Sequence, residues 1–355
     1  MTFNDIAQRR LVSQRIAGAP FAEPAGAVAW LGAVQAQDYA SAKFAVGLRC
    51  SGMTDADLER AIAERTIVRT WSLRGTLHLI AAADIRWLLG LVGPTVLART
   101  ATRYEKSELD GRNFLPIDRA LVETLEGENG LTRKELFAAL EERGIATGGT
   151  RGNQILYRAA LSGRICLGEL RGKQTTYTLL EEWVPGGTML EGDEALAELA
   201  RRYFISHGPA TLGDFAWWSS LLRPDARAAL AMAAESLRSE NIGGTTYWMD
   251  REAPIDPSPS LHLLPAFDEY LVSYSDRTPA LDRIYFGRVA TNNGIFNPSI
   301  VIGGRVVGTW KRTITAKAVI VTANPFEPMG RGDQHAFAEV AERFGTFLGM
   351  PVVME

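Results

Sequence analysis

Apolar residues recur at helical spacing, halt at glycines and give way to short alternating runs, and this cycle is clearest over 116–183. Ile117, Ala120, Leu121, Thr124 and Leu125 predict one helix, which Gly127 and Gly130 end. Thr132 caps a second, with Glu135 three residues on completing a capping box, and Leu136, Phe137 and Leu140 form its apolar face. After the turn at Gly148-Gly149 and Gly152, Asn153–Leu161 predicts a third helix facing inward with Ile155, Leu156, Ala159 and Ala160. Arg164–Leu167 and Thr175–Leu180 then read as strands joined through Arg171–Lys173. Three short helices followed by a hairpin is the winged-helix order, in which the third helix enters the DNA major groove and the wing meets the backbone.

The order returns more loosely on either side. Glu194–His207, a helix from Thr211 with Phe215, Trp217 and Trp218, Pro224–Leu237, and a strand at Thr245–Met249 make one further pass. Near the start, Asn4–Ile16, Glu23–Val34 and Asp55–Arg65 (capped by Thr54) are helical, and Ile67–Leu73 and Thr76–Ile80 pair around Gly75. From Leu261 the pattern changes to strands at Leu261–Leu264, Tyr270–Tyr274, Ile300–Ile302, Arg305–Trp310 and Ala318–Thr322, with Gly303-Gly304 as a two-residue turn and a closing helix at Gln334–Leu348. The expected fold is α+β: winged-helix units over 1–115, 116–190 and 191–260, then a β-rich segment over 261–355 docked on the third unit. Pro254–Pro259 is the linker candidate.

Composition narrows this little. The chain has 355 residues, 46% hydrophobic and 22% charged, as a globular protein does. Its longest apolar runs are too short to span a bilayer, and its first ten residues lack the core of a signal peptide. Two cysteines, Cys50 and Cys166, imply no disulfide framework and fit a reducing cytoplasm. Four scattered histidines give no zinc spacing, so no metal and no cofactor are expected. The net charge of −3 argues mildly against nucleic acid, yet basic residues cluster over 65–103, 143–178 and 279–320, so the chain can still present a basic groove.

Three stretches carry candidate chemistry. In Val34-Gln35-Ala36-Gln37-Asp38-Tyr39, residues two apart diverge on a helix but align in an extended segment. Both glutamines therefore serve one pocket only if the helix ends there, and Asp38 then faces elsewhere; otherwise they are solvated polar residues at a helix end. Arg69-Thr-Trp-Ser-Leu-Arg74-Gly-Thr-Leu-His78 reads either as a wing with its arginines and His78 near phosphates, or as an ordinary hairpin with arginines in water. Leu264-Pro-Ala-Phe-Asp268-Glu269-Tyr270 places two carboxylates for acid–base work or for salt bridges.

Together with Arg10-Leu-Val-Ser-Gln-Arg15 and Gly304-Arg-Val-Val-Gly-Thr-Trp310, these motifs in this order resemble the winged-helix DNA glycosylases of the AlkZ type across nearly the whole chain. The resemblance implies three tandem winged helices in a C-shaped, duplex-sized array, and excision of alkylated purines with unhooking of interstrand crosslinks. It implies catalytic roles for Gln35 and Gln37, which match the family's Gln-apolar-Gln branch, with Asp38 and Asp268 in support. Arg69, Arg74, His78, Arg151, Arg305, Lys311 and Arg312 are the expected DNA contacts. The chemistry agrees: glutamine has no useful pKa, but its amide oxygen can orient water and face a cationic sugar. A purine alkylated at N7 or N3 is already cationic and leaves without an acid. The nearest lysine to the motif is Lys43, six residues on, so a monofunctional enzyme is expected. It would act as a monomer on double-stranded DNA, cytoplasmic and nucleoid-associated, with no membrane partner. A non-catalytic transcription regulator and a winged-helix protein scaffold explain the helices and wings equally well.

Overall fold

In the computed structural model, residues 3–102, 109, 111–127, 129–252, 260–291 and 293–355 are described, and the linker candidate at 254–259 lies outside them. The first pass contains α1 (Phe3–Ser13), α2 (Pro24–Leu31), β1 (Val34–Gln35), α3 (Tyr39–Gly47), α4 (Asp55–Ala63), the hairpin β2 (Ile67–Trp71) and β3 (Leu77–Ala81), and α5 (Ile85–Arg99). Helix α3 is absent from the expected elements, although Asp38 caps it by accepting from the Ser41 N–H at 3.0 Å. Thr54 and Asp57 form the capping box that starts α4.

The second pass is α6 (Gly111–Leu125), β4 (Leu131–Thr132), α7 (Arg133–Glu142), α8 (Arg151–Leu161), β5 (Ile165–Arg171), β6 (Gln174–Leu179) and α9 (Leu180–Trp183). The Thr132–Glu135 capping box is present, and Ile117, Leu121, Leu136, Leu140, Ile155 and Leu156 fill the core between the helices and the hairpin. A boundary at 115/116 cuts α6, because Pro116 sits inside that helix and does not begin it. The third pass is α10 (Gly192–His207), α11 (Leu212–Ser219), α12 (Arg223–Ala233), and the hairpin β7 (Leu237–Ile242) and β8 (Thr245–Asp250).

The first two hairpins are not separate. They join in a six-stranded sheet ordered β1-β3-β2-β5-β6-β4, where Arg69 on β2 pairs with Leu167 on β5.

Downstream lie β9 (Leu261–Leu264), the short helices α13 (Glu269–Val272) and α14 (Phe286–Val289), β10 (Ser299–Ile302), β11 (Arg305–Ile314), β12 (Val319–Pro325), α15 (Arg331–Leu348) and β13 (Val352–Met354). Two expectations fail here. Tyr270–Tyr274 is not a strand, because the Asp268 side chain accepts from the Tyr270 N–H at 2.9 Å and starts a helical turn. Nor does the segment dock chiefly on the third pass. The sheet β13-β12-β11-β10-β9 and α15 share a core with α2, α3 and α4. Phe44 of α3 lies 4.7 Å from Phe344 and 5.3 Å from Phe347, ring to ring, with Trp310 beside them. Burying each of these aromatics contributes roughly 2–3 kcal/mol, so this face anchors the segment. Contact with the third pass is made instead by the α13 turn, where Tyr203 Oη donates to the Ser273 carbonyl at 2.9 Å.

Candidate active site

The Gln35-Ala-Gln37 stretch is held between two helix ends. Pro24 opens α2 and Gly32 closes it at φ 76°, so the chain is extended by Val34. Val34 and Gln35 pair with Leu79 and His78 on β3, and the Ala36 N–H donates to the Leu77 carbonyl at 2.6 Å. Beyond Gln37 the Asp38 cap starts α3. The glutamines differ in setting: Gln35 is buried, whereas Gln37 is exposed and its Oε1 accepts from the Leu77 N–H at 3.5 Å.

Behind Gln35 lies a polar cluster drawn from three parts of the chain. Arg74 has a left-handed backbone (φ 57°), and its N–H donates to Ser220 Oγ at 2.6 Å. This turns its guanidinium inward, where it donates to the Trp218 carbonyl at 3.0 Å and to Gln35 Oε1 at 2.9 Å. The same nitrogen is 3.4 Å from His78 Nε2. His78 Nδ1 lies 3.0 Å from the Thr76 carbonyl, which can only accept, so the ring proton belongs on Nδ1 and Nε2 faces Arg74 as an acceptor. Burial, and then the Arg74 charge, hold the His78 pKa well below its ordinary value, and the imidazole is neutral.

Glu269 closes the cluster. Its Oε1 accepts from the Gln35 backbone N–H at 2.7 Å, while Oε2 accepts from Trp218 Nε1 at 3.3 Å and from the Ser273 hydroxyl. Burial raises its pKa, and Arg74 opposes that shift.

The structure separates the sequence-expected residues. Gln35, Gln37, Arg69, Arg74, His78, Asp38 and Arg312 gather around β1 and the start of α3. Arg69 donates to the Ala36 carbonyl at 3.0 Å and stacks on Tyr39 at 4.7 Å. Arg312 lies 3.8 Å from Asp38 and 3.4 Å from Ser41 Oγ. Arg305, Arg151 and Asp268 lie outside this cluster. Arg305 spends its guanidinium on the carbonyls of Thr278 and Pro279 at 3.1 and 3.0 Å, and Arg151 Nε donates to the Ala146 carbonyl.

Three expectations are corrected by burial. His78 is 0% exposed and cannot reach a phosphate. Arg74 points at Gln35 and not at solvent, because its positive φ and its Ser220 bond fix it there. Asp268 is buried and engaged by both Arg49 Nη atoms at 2.9 Å, so its role is structural. The carboxylate that reaches Gln35 is its neighbour Glu269, at the backbone N–H. The Asp-Glu pair drew attention to this stretch, but only the turn at Phe267 (φ 59°) decides which carboxylate faces β1.

An exposed amide beside a fixed, arginine-polarised amide on one extended segment can orient water without any titrating group of its own. Residues 28–347 match the family described as DNA glycosylase AlkZ-like, and the chain belongs to that family of DNA glycosylases. Among its relatives is the interstrand DNA cross-link repair glycosylase of Streptomyces sahachiroi, 28% identical over an alignment of 315 positions, with 82% of each chain covered. The solved structure of the Streptomyces sahachiroi DNA glycosylase AlkZ superposes with a TM-score of 0.83 at 26% identity, over 100% of both chains.

Proposed function

We propose that this glycosylase hydrolyses the N-glycosidic bond of purines alkylated at N7 or N3 in double-stranded DNA, interstrand crosslinks included, and that Gln35 and Gln37 are its catalytic residues. The observation that carries the reading is the pairing of the exposed Gln37 amide with Gln35, whose oxygen is held at 2.9 Å by Arg74. Gln37 orients the attacking water toward the sugar C1′, and Gln35 sets the opposite wall of the pocket. An N7- or N3-alkylated purine departs as a neutral base, so the amides need only stabilise the developing sugar cation; an undamaged purine is held too firmly for them.

Lys43 supports hydrolysis over Schiff-base chemistry. Its Nζ is engaged by Asp55 at 2.7 Å and Glu59 at 2.6 Å, and so is occupied by two carboxylates instead of being free to attack a sugar. The relative named for cross-link repair supports the crosslink substrate. The three passes of helices ending in a hairpin fit tandem winged helices curved around the duplex, with a single chain acting on the nucleoid. Among the described residues, no helix is long and apolar enough to cross a membrane.

Incubation with an N7-methylated duplex, followed by cleavage of abasic sites, tests the proposal. Release of 7-methylguanine that is insensitive to EDTA is expected. No release from several N7 and N3 adducts would overturn it.

A further inference from the structure

β1 is an edge strand: β3 covers one side, and the Ala36 N–H turns toward it. The Gln35 N–H therefore points the other way, where a further strand would sit. No strand is there. A buried backbone donor on such an edge needs a partner, and here the partner is a side chain 234 residues downstream, Glu269 Oε1 at 2.7 Å.

Glu269 is in turn fixed on every side. Trp218 Nε1 and the Ser273 hydroxyl hold Oε2, and Asp268, locked to Arg49, fixes the turn it stands on. Gln14 ties the same turn down again, donating from Nε2 to the Glu269 carbonyl at 3.2 Å and accepting from Arg49 at Oε1. The backbone of Gln35 is thus gripped by Glu269 while its side-chain oxygen is gripped by Arg74, and Arg74 lies in the field of the same carboxylate.

We infer that Glu269 is a positioning residue of the glycosylase site: its buried carboxylate takes the place of a neighbouring strand and fixes the end of β1, so that the Gln35 side chain meets Arg74. It touches neither DNA nor the attacking water. The inference rests on the reading of Gln35 as catalytic, and a one-residue drift of β1 would turn the Gln35 side chain away from Arg74. Oε1 is the atom that matters for the strand, and the carboxylate charge strengthens the bond that it accepts.

Single-turnover excision from an N7-methylated duplex, with binding to an uncleavable duplex measured in parallel, separates the outcomes. Glu269→Ala lowers the rate about 10²-fold while the dissociation constant stays within about threefold. Glu269→Gln, which retains an oxygen for the Gln35 N–H but loses the charge, falls between, about tenfold below the native rate. Either variant matching the native rate, or losing rate and binding in equal proportion, overturns the inference. Should Glu269→Ala fail to fold, Glu269→Gln decides alone. A second readout is independent of turnover: the amide-proton resonance of ¹⁵N-labelled Gln35, shifted downfield by a charge-assisted bond, moves upfield in Glu269→Gln. If the native protein excises no alkylated base, the functional reading falls while the resonance still tests the geometry.

Discussion

Gln37 Oε1 accepts from the Leu77 backbone N–H, so at this point a side chain replaces the backbone in pairing with β3. The replacement leaves Gln37 at the surface two residues after a buried Gln35. Gln37→Ala is expected to lower excision by about 10²-fold or more, about 2.7 kcal/mol of barrier, with unfolding and DNA binding unchanged. Gln35→Ala should slow excision and also destabilise, because it deprives the Arg74 guanidinium of an acceptor. Excision rates beside urea midpoints for both variants check this, and equal stability losses would contradict it.

Asp38 caps α3 and has no part in the Gln35–Arg74 cluster. Asparagine caps a helix about as well as aspartate. Asp38→Asn should therefore leave excision within about threefold of the native rate. A larger loss than that of Gln37→Ala would move the chemistry from the amides to the carboxylate.

Lys311 is exposed, whereas Arg312 is drawn toward Asp38 and Ser41. Only Lys311 is available to a phosphate without breaking an internal contact. Lys311→Ala should lower the slope of log affinity against log salt by roughly 0.9, and adding Arg312→Ala should change it little further. Binding titrations across salt concentrations measure this, and a loss near two units in the double variant would show that Arg312 leaves Asp38 for the duplex.

Three histidines are kept neutral by burial. His78 and His207 lie well below their ordinary pKa, and His262 is lowered to about 4. A base with a depressed folded pKa binds its proton in the unfolded chain first. Its stabilisation is complete above the unfolded value of about 6.5 and declines as pH falls below that, by about 1.4 kcal/mol per pH unit for each histidine. Glu269, raised by burial, titrates in the opposite sense and opposes this loss. Urea unfolding at pH 7.5 and pH 5.0 should show a marked loss at the lower pH; equal midpoints would contradict the burial of neutral imidazoles.

The Gly303-Gly304 turn has both residues at positive φ, 53° and 85°. A Cβ on Gly303 would have its nearest neighbour at 3.8 Å, whereas one on Gly304 would meet Gln8 N at 2.7 Å and Ala7 C at 2.8 Å in the backbone of α1. Gly303→Ala should therefore cost about 1 kcal/mol, from conformation alone. Gly304→Ala should cost about 3 kcal/mol, because α1 has to move. Unfolding of the two variants checks the order, and equal losses would place α1 away from the turn.

Much of this was legible from residue pattern. The capping residues Thr54 and Thr132, the periodic apolar faces of the second pass and the Gly-Gly turn are local signals, and each lies where local physics puts it. So is the end of α2, which releases Gln35 and Gln37 into extended chain. The misreadings share one cause. Tyr270, Val272 and Tyr274 alternate like a strand, but the Tyr270 hydroxyl, with its single proton, lies between the Gly304 and Ala7 carbonyls, at 2.6 and 2.9 Å, and Tyr274 Oη donates to the His207 carbonyl, far along the chain. Arg74 and Arg305 read as DNA contacts because sequence does not reveal which buried carbonyls will meet them, and of the two readings of Asp268 the salt bridge is the one present, with Arg49 as its partner. An apolar face likewise announces that β9–β11 are covered, not that α3 covers them.

The bond from Gln35 to Glu269 also has a consequence in time. At 5–20 residues per second, the 234 residues between them take roughly 12–47 s to synthesise. Throughout that interval the emerging chain can pair β1 with β3 on one side, but the carboxylate that holds its other side has not been made. The second hold on the strand thus arrives only with the last quarter of the polypeptide.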